Sequence, residues 1–110
     1  MSPHNIDKLL QEVEKQQKRF FPKTPLFILE RLPFYVKARI TLEKDLFIEI
    51  RYNSKGKRWS YVLVKNNRRI AGFDNLDEWH MHPGERESMH KKISEPTLTQ
   101  VFEYFSHLTK

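Results

Sequence analysis

The chain contains no cysteine, which excludes both a disulfide framework and a thiolate active site. It has only three glycines, and their wide scatter excludes the glycine-rich loop that binds nucleoside triphosphates. The first residues are polar and charged, so no signal peptide is expected. The longest apolar run, from Pro25 to Leu29, is too short to cross a bilayer. These absences predict a cytoplasmic protein that does not act at a membrane.

The chain has an excess of basic residues. Its 110 residues carry a formal net charge of +6. Between Arg51 and Arg69 seven basic residues occur without an acidic one, and Tyr52 and Tyr61 lie among them. Guanidinium groups hold phosphates while aromatic rings stack on bases, so this pattern is typical of a nucleic-acid-binding surface. An equally good interpretation is that lysine and arginine only keep exposed strands soluble.

Apolar residues that recur about every 3.6 residues indicate a helix near each terminus. The first is predicted over about residues 4–20, with Ser2 or Asn5 as its N-cap. The second is predicted over about 97–108, because Thr97 and Gln100 fit a capping box.

Between the helices, from about residue 36 to 73, apolar residues occupy every second position. This period predicts a four-stranded antiparallel β-meander, in which Asn66 and Asn67 form a hairpin turn. The predicted fold class is therefore α+β, a single domain over residues 1–110 in which both helices cover one face of the sheet. The other face, which carries Glu49 and Arg51, is expected to be open.

Residues 74–93 are polar and aperiodic, and we predict a long loop there. Three of the five histidines of the chain fall in this segment: His80, His82 and His90. With a nearby carboxylate they would suit zinc or manganese, although their spacing matches no standard zinc signature. They would equally suit RNA cleavage without a metal, since the 2′-hydroxyl is the nucleophile and histidine transfers protons near neutral pH. The third interpretation is a solvated loop with ordinary hydrogen bonds.

Several short motifs of this segment resemble those of the TumE-type toxins of prokaryotic toxin–antitoxin pairs. The motifs are the IAGFDN segment that ends in Asp74-Asn75, the His80-x-His82-Pro83 element and the His90-Lys91 step, followed by a leucine-bearing helix. The family loop usually has adjacent histidine pairs, whereas this chain has His80-Met81-His82 and Met89-His90. That departure puts in doubt any role that needs two neighbouring imidazoles.

The resemblance implies a growth-inhibiting protein that acts on RNA and is neutralised by a cognate antitoxin protein. The apolar segment 26–36 stays open as core, antitoxin groove or subunit interface, so a homodimer is one of the alternatives. We expect RNA and the antitoxin as partners, and no cofactor or metal.

We therefore predict the toxin of a toxin–antitoxin pair, an endoribonuclease that uses histidine, lysine and arginine chemistry. The alternatives are a metal-dependent nuclease built from His80, His82 and His90, and a non-catalytic module that binds nucleic acid or protein. The expected catalytic residues are Asp74, His80, His82, His90 and Lys91. The expected RNA-binding residues are Arg51, Tyr52, Arg58, Tyr61, Arg69 and Asn75.

Overall fold

The computed structural model describes residues 5–83 and 91–109. Helices stand at both ends of the described chain, and strands fill the region between them. In chain order the elements are α1 (Ile6–Phe20), β1 (Leu26–Leu32), β2 (Tyr35–Glu43), β3 (Leu46–Asn53), β4 (Arg58–Lys65), β5 (Arg68–Asp74), β6 (His80–Pro83), β7 (Lys91–Lys92) and α2 (Leu98–Leu108).

The strands form one sheet in which each pairs antiparallel with the next in sequence, from β1 to β7. The α+β prediction, an antiparallel meander with an N-terminal and a C-terminal helix, is confirmed. The number of strands is corrected from four to seven. The four predicted strands correspond to β2, β3, β4 and β5, where the alternation of apolar and polar residues is clearest.

Strand β1 was not predicted, because apolar and polar residues do not alternate in its sequence, LFILERL. A register shift between Ile28 and Glu30 also interrupts its pairing with β2. Six of the seven residues of β1 are exposed, and Phe27 and Phe34 expose 57% of their surface at and just beyond this edge. Segment 26–36 as a whole is therefore not core, although Val36 itself is buried in β2.

The predicted loop at 74–93 is also corrected, because His80–Pro83 forms β6 and pairs with the end of β5. Trp79 holds this short strand against the sheet. Its ring stacks on Trp59 at 6.0 Å and on Tyr61 at 6.3 Å between centroids. Four residues are too few for periodicity to distinguish a strand from a loop.

The tight turns follow the residue types that tolerate a left-handed backbone. Asn66 and Asn67 have φ of 51° and 64°, and they connect β4 to β5 as predicted. Asp45, with φ of 62°, does the same between β2 and β3. These short connections keep consecutive strands adjacent and antiparallel.

Both helices begin at polar caps. The side chain of Asn5 accepts a hydrogen bond from the amide of Lys8, and Thr97 and Gln100 form the predicted capping box. Of the two candidate caps at the N-terminus, Ser2 lies outside the described residues. Neither helix in the described chain is long and apolar enough to cross a membrane.

The two faces of the sheet differ in character. On the helix face, residues such as Ile50, Tyr61 and Phe73 pack against Leu9 of α1 and Phe105 of α2 in one buried cluster. The opposite face, here called the open face, carries the side chains one position away along each strand. Strand alternation therefore places every residue of β2 to β5 on one of these two faces according to the register.

We expect Tyr52→Ala to lower the free energy of unfolding by about 3–5 kcal/mol, as aromatic truncations in a core do. Tyr52 is fully buried on the helix face and stacks on Trp59 at 4.8 Å. Urea denaturation followed by tryptophan fluorescence measures the change. The control Phe34→Ala removes an exposed ring, so it should cost less than about 0.5 kcal/mol. A stable Tyr52→Ala protein that binds RNA weakly would contradict the burial.

Candidate functional site

A row of polar side chains crosses the open face perpendicular to the strands. Its members are direct cross-strand partners on β2 to β7, so consecutive β-carbons lie about 4.5–5.5 Å apart. Cations occupy both ends of the row, and an aspartate and a histidine stand near one end. The row consists of Lys37, Arg51, Ser60, Asp74, His80 and Lys92.

A second row runs alongside the first. It consists of Arg39, Glu49, Val62, Gly72 and His82. His82 reaches diagonally into the first row, where its Nε2 lies 2.6 Å from Oδ2 of Asp74. Both side chains are largely shielded, with 13% and 15% of their surface exposed. Such a short bond to a carboxylate fixes the orientation of the imidazole.

His80 stands directly opposite Asp74 in the register, two residues before His82 on β6. Its Nε2 is 4.0 Å from Oε1 of Glu78, while Nζ of Lys92 lies 3.0 Å from Oε2 of the same carboxylate. Three titratable groups, Asp74, His80 and His82, are thus gathered at the β5–β6 pairing.

Gly72 makes room for Arg69 next to this group. A β-carbon at Gly72 would lie 3.4 Å from Cδ of Arg69 and 3.2 Å from both the Tyr61 carbonyl oxygen and Cγ1 of Val62. The stem of Arg69 therefore passes over the glycine that pairs with His82. Nε of Arg69 is buried and has no hydrogen-bond partner among the described residues.

Glu49 anchors the centre of the open face. Its Oε1 accepts a hydrogen bond from Nη2 of Arg39 at 2.9 Å, and its Oε2 accepts from Nη2 of Arg51 at 2.8 Å. Burial alone raises the pKa of the Glu49 carboxyl, but the hydrogen bonds and charges of the two arginines outweigh it and hold the pKa below 4.5. Glu49 is therefore an ionised carboxylate that aligns two cations.

The structure brings together five of the residues selected from the sequence: Asp74, His80, His82, Arg51 and Arg69. Arg58 lies on the same face at the end of β4, paired with Asn53. These residues come from four different strands, so only the register could show that they are neighbours.

Tyr52 and Tyr61 are placed differently. Both rings are buried on the helix face, and burial raises the pKa of the Tyr61 phenol far above its usual range, with the charge of Glu95 adding to the effect. The prediction that they stack on bases is wrong, because Arg51 and Ser60 take the outward positions beside them.

Asn75 and Lys91 also do not join the group. The Asn75 side chain accepts a hydrogen bond from the amide of Trp59 at 2.7 Å and donates one to the carbonyl of Lys57 at 2.9 Å, so it braces the start of β4. Lys91 pairs with Met81, which packs against the core, whereas Lys92 pairs with His80. Lys92 is thus the lysine on the side of the histidines.

His90 lies outside the described residues. Within residues 5–83 and 91–109, no group of three or more histidine, cysteine, aspartate or glutamate side chains is arranged to hold a metal ion. The three-histidine metal site stays a hypothesis, since one of its members is His90.

Sequence reasoning did not select Lys37, Arg39 and Lys92, although all three lie on the open face. Lys37 and Arg39 could have been selected from the sequence, because they occupy polar positions of a strand whose alternation is clear. Lys92 could not have been selected in this way, since a strand of two residues is too short to show a period.

A family model described as Toxin TumE matches residues 7–108 of the chain. Comparisons with curated proteins and with solved structures gave no match. The matched range covers the whole sheet, α2 and all of α1 except Ile6, and so includes every open-face residue named above.

We expect Glu49→Gln to lower the free energy of unfolding at pH 7 by about 1–3 kcal/mol, the range for hydrogen bonds to charged groups. Both arginines are partly exposed, so solvent screening favours the lower end. Because the folded-state pKa lies below 4.5, the ionised carboxylate stabilises the fold above that pH, and this contribution is lost as the pH falls through the folded-state value.

Urea denaturation at a series of pH values measures the effect, and the difference from wild type should shrink below pH 4.5. Glu43→Gln, which removes an exposed carboxylate, is the control and should change the free energy by less than about 0.5 kcal/mol. A difference that stays constant at every pH would mean that charge is not its source.

Proposed function

Because the chain belongs to the TumE family of toxins, we propose that it is the toxin of a toxin–antitoxin pair and that it cleaves RNA on the open face of its sheet without a metal. Membership of the family implies a cognate antitoxin. The ribonuclease activity is our inference from the open face.

The observation that carries the proposal is the contact of 2.6 Å between Asp74 and His82, set in a face rich in cations. A carboxylate that orients an imidazole is a common arrangement for proton transfer. Arg51 lies two strands from Asp74 along the first row, the stem of Arg69 passes over Gly72 beside His82, and Lys92 lies one strand beyond the pair. Cations around an acid–base pair suit a reaction at a phosphodiester, whose charge grows in the transition state.

The reaction needs only groups that protein and RNA supply. The 2′-oxygen of one nucleotide attacks the adjacent phosphorus while its proton passes to a base, and the bond from phosphorus to the 5′-oxygen breaks as that oxygen takes up a proton. The products are a 2′,3′-cyclic phosphate and a 5′-hydroxyl. No oxidant, reductant or added nucleophile is required.

We assign the base to the Asp74–His82 pair. Nε2 of His82 is engaged by Asp74 and Nδ1 is buried, so the proton is assigned to the Asp74 carboxylate, which His82 holds in position. The acid has two candidates: His80, which stands opposite Asp74, and His90, which lies outside the described residues. Arg69 is the candidate for stabilising the charge on the phosphate oxygens, because its stem crosses Gly72 beside His82.

Binding of the RNA backbone is assigned to cations along the two rows. Arg51 and Lys37 continue the row away from Asp74, and Lys92 extends it in the other direction. A phosphate backbone held by several such side chains should bind with an affinity that falls as salt concentration rises.

We expect His82→Ala and Asp74→Asn each to slow cleavage of RNA by about 10²–10⁴-fold, the usual contribution of general acid–base catalysis. The substrate is a labelled single-stranded RNA, and the product ends are analysed for a 2′,3′-cyclic phosphate. His80→Ala and His90→Ala, tested in the same way, separate the two candidates for the acid. Circular dichroism and urea denaturation show whether each variant is folded.

The matched control is His107→Ala, since His107 is an exposed histidine on α2 away from the open face. It should cleave at the wild-type rate. Folded His82→Ala that cleaves normally would refute the assignment. Activity that disappears with a chelator and returns with zinc or manganese would instead favour the metal-dependent alternative, and RNA binding without cleavage would favour the non-catalytic module.

A further inference from the structure

A cavity of about 280 Å³ opens beside the first row, where the ends of β2, β3 and β4 meet the segment that follows β5. This volume is close to the lower end of the range of roughly 300–1,000 Å³ for small-molecule sites. The cavity therefore suits a group of the size of one nucleobase. Its lining includes Tyr35, Arg51, Asn53, Arg58, Ser60 and Leu76.

The walls combine an apolar surface with cations. Leu76 exposes 63% of its surface, and Tyr35 contributes a half-buried ring. Arg51 and Arg58 supply positive charge. The side chain of Asn53 is held in place because its Oδ1 accepts a hydrogen bond from the amide of Gly56. A nucleobase offers the matching surfaces, with apolar faces, a polar edge and an attached phosphate.

The cavity adjoins the acid–base pair through two connections. Ser60, in its wall, is the direct cross-strand partner of Asp74. The amide of Leu76 donates a hydrogen bond to Oδ1 of Asp74 at 3.4 Å. A base against Leu76 would thus place its own phosphates within one or two strand spacings, of about 4.8 Å each, of Asp74.

From this placement we propose that the cavity is a subsite for one unpaired nucleotide of single-stranded RNA, next to the phosphate that is cleaved. Leu76 and Tyr35 receive the base, and Arg58 contacts a neighbouring phosphate. The inference rests on the proposed function for the reaction, but the binding of a base can be tested without cleavage. Duplex RNA is a poor ligand in this account, because its bases are stacked and paired.

The probe is a fluorescein-labelled single-stranded RNA of eight nucleotides in which every 2′-hydroxyl is methylated, so that it lacks the nucleophile. A series of the same strand carries one abasic nucleotide at each position in turn, and fluorescence anisotropy gives the Kd. Stacking of one base on a protein side chain predicts that one or two neighbouring abasic positions weaken binding to wild-type protein by at least about fivefold. The other positions should change it little.

The variants Leu76→Ala and Tyr35→Ala should bind the intact strand more weakly and should lose the abasic effect. Leu108→Ala is the control, because Leu108 is a leucine with 44% exposure on α2, away from the open face, and it should keep the abasic pattern. Leu76 is exposed, so its truncation is not expected to unfold the protein. An abasic pattern that Leu76→Ala leaves intact, or one that is flat in wild type, would overturn the subsite.

The same proteins, given unmodified RNA, separate the two proposals. Asp74→Asn should lose cleavage but keep the abasic pattern, whereas Leu76→Ala should still cleave while its base preference beside the cut changes. An abasic pattern that depends on Leu76 in a protein that cuts no RNA would support the subsite and refute the ribonuclease. Cleavage of unmodified RNA with a flat abasic series would support the ribonuclease and refute the subsite. Absence of both binding and cleavage would refute both.

Discussion

The alternation of side chains along antiparallel strands is the constraint on which the rest of the structure depends. Ile50, Tyr61 and Phe73 must face the helices to form the core, and their neighbours Arg51, Ser60 and Asp74 must then face the other way. A slip of one residue in any strand would exchange the two sets. Burial of the apolar residues therefore also fixes the polar rows of the open face.

A face with so many cations needs internal anions to be stable. Glu49 meets this need at the centre, where one buried carboxylate accepts hydrogen bonds from Arg39 and Arg51. Towards β6, Asp74 is paired with His82 and Glu78 with Lys92. The cations are thus held in position without being neutralised as a group, and Arg69 keeps a buried nitrogen that the described residues do not satisfy.

The clarity of the alternation decided how much could be predicted from the sequence. β2 to β5 alternate over seven to nine residues, so their existence and order followed directly. β1 has a bulge and an apolar run, and β6 and β7 are too short to show a period. The geometry of the candidate site was the hardest part to predict, because His80 and His82 lie on β6. Their types pointed to proton transfer, but their proximity to Asp74 depends on a pairing that no local pattern reveals.

The aromatic residues show how a sequence pattern was assigned to the wrong face of the sheet. Tyr61 and Trp59 lie within the basic segment, which made base stacking a natural interpretation. In the structure their rings face the core, and both stack on Trp79. Trp79 immediately precedes His80, so this stack positions the first residue of β6 from behind the sheet. Since β6 has only four residues to pair with β5, the aromatic stack is a substantial part of what holds His80 and His82 in place. The rings of the helix face therefore support the open face through packing.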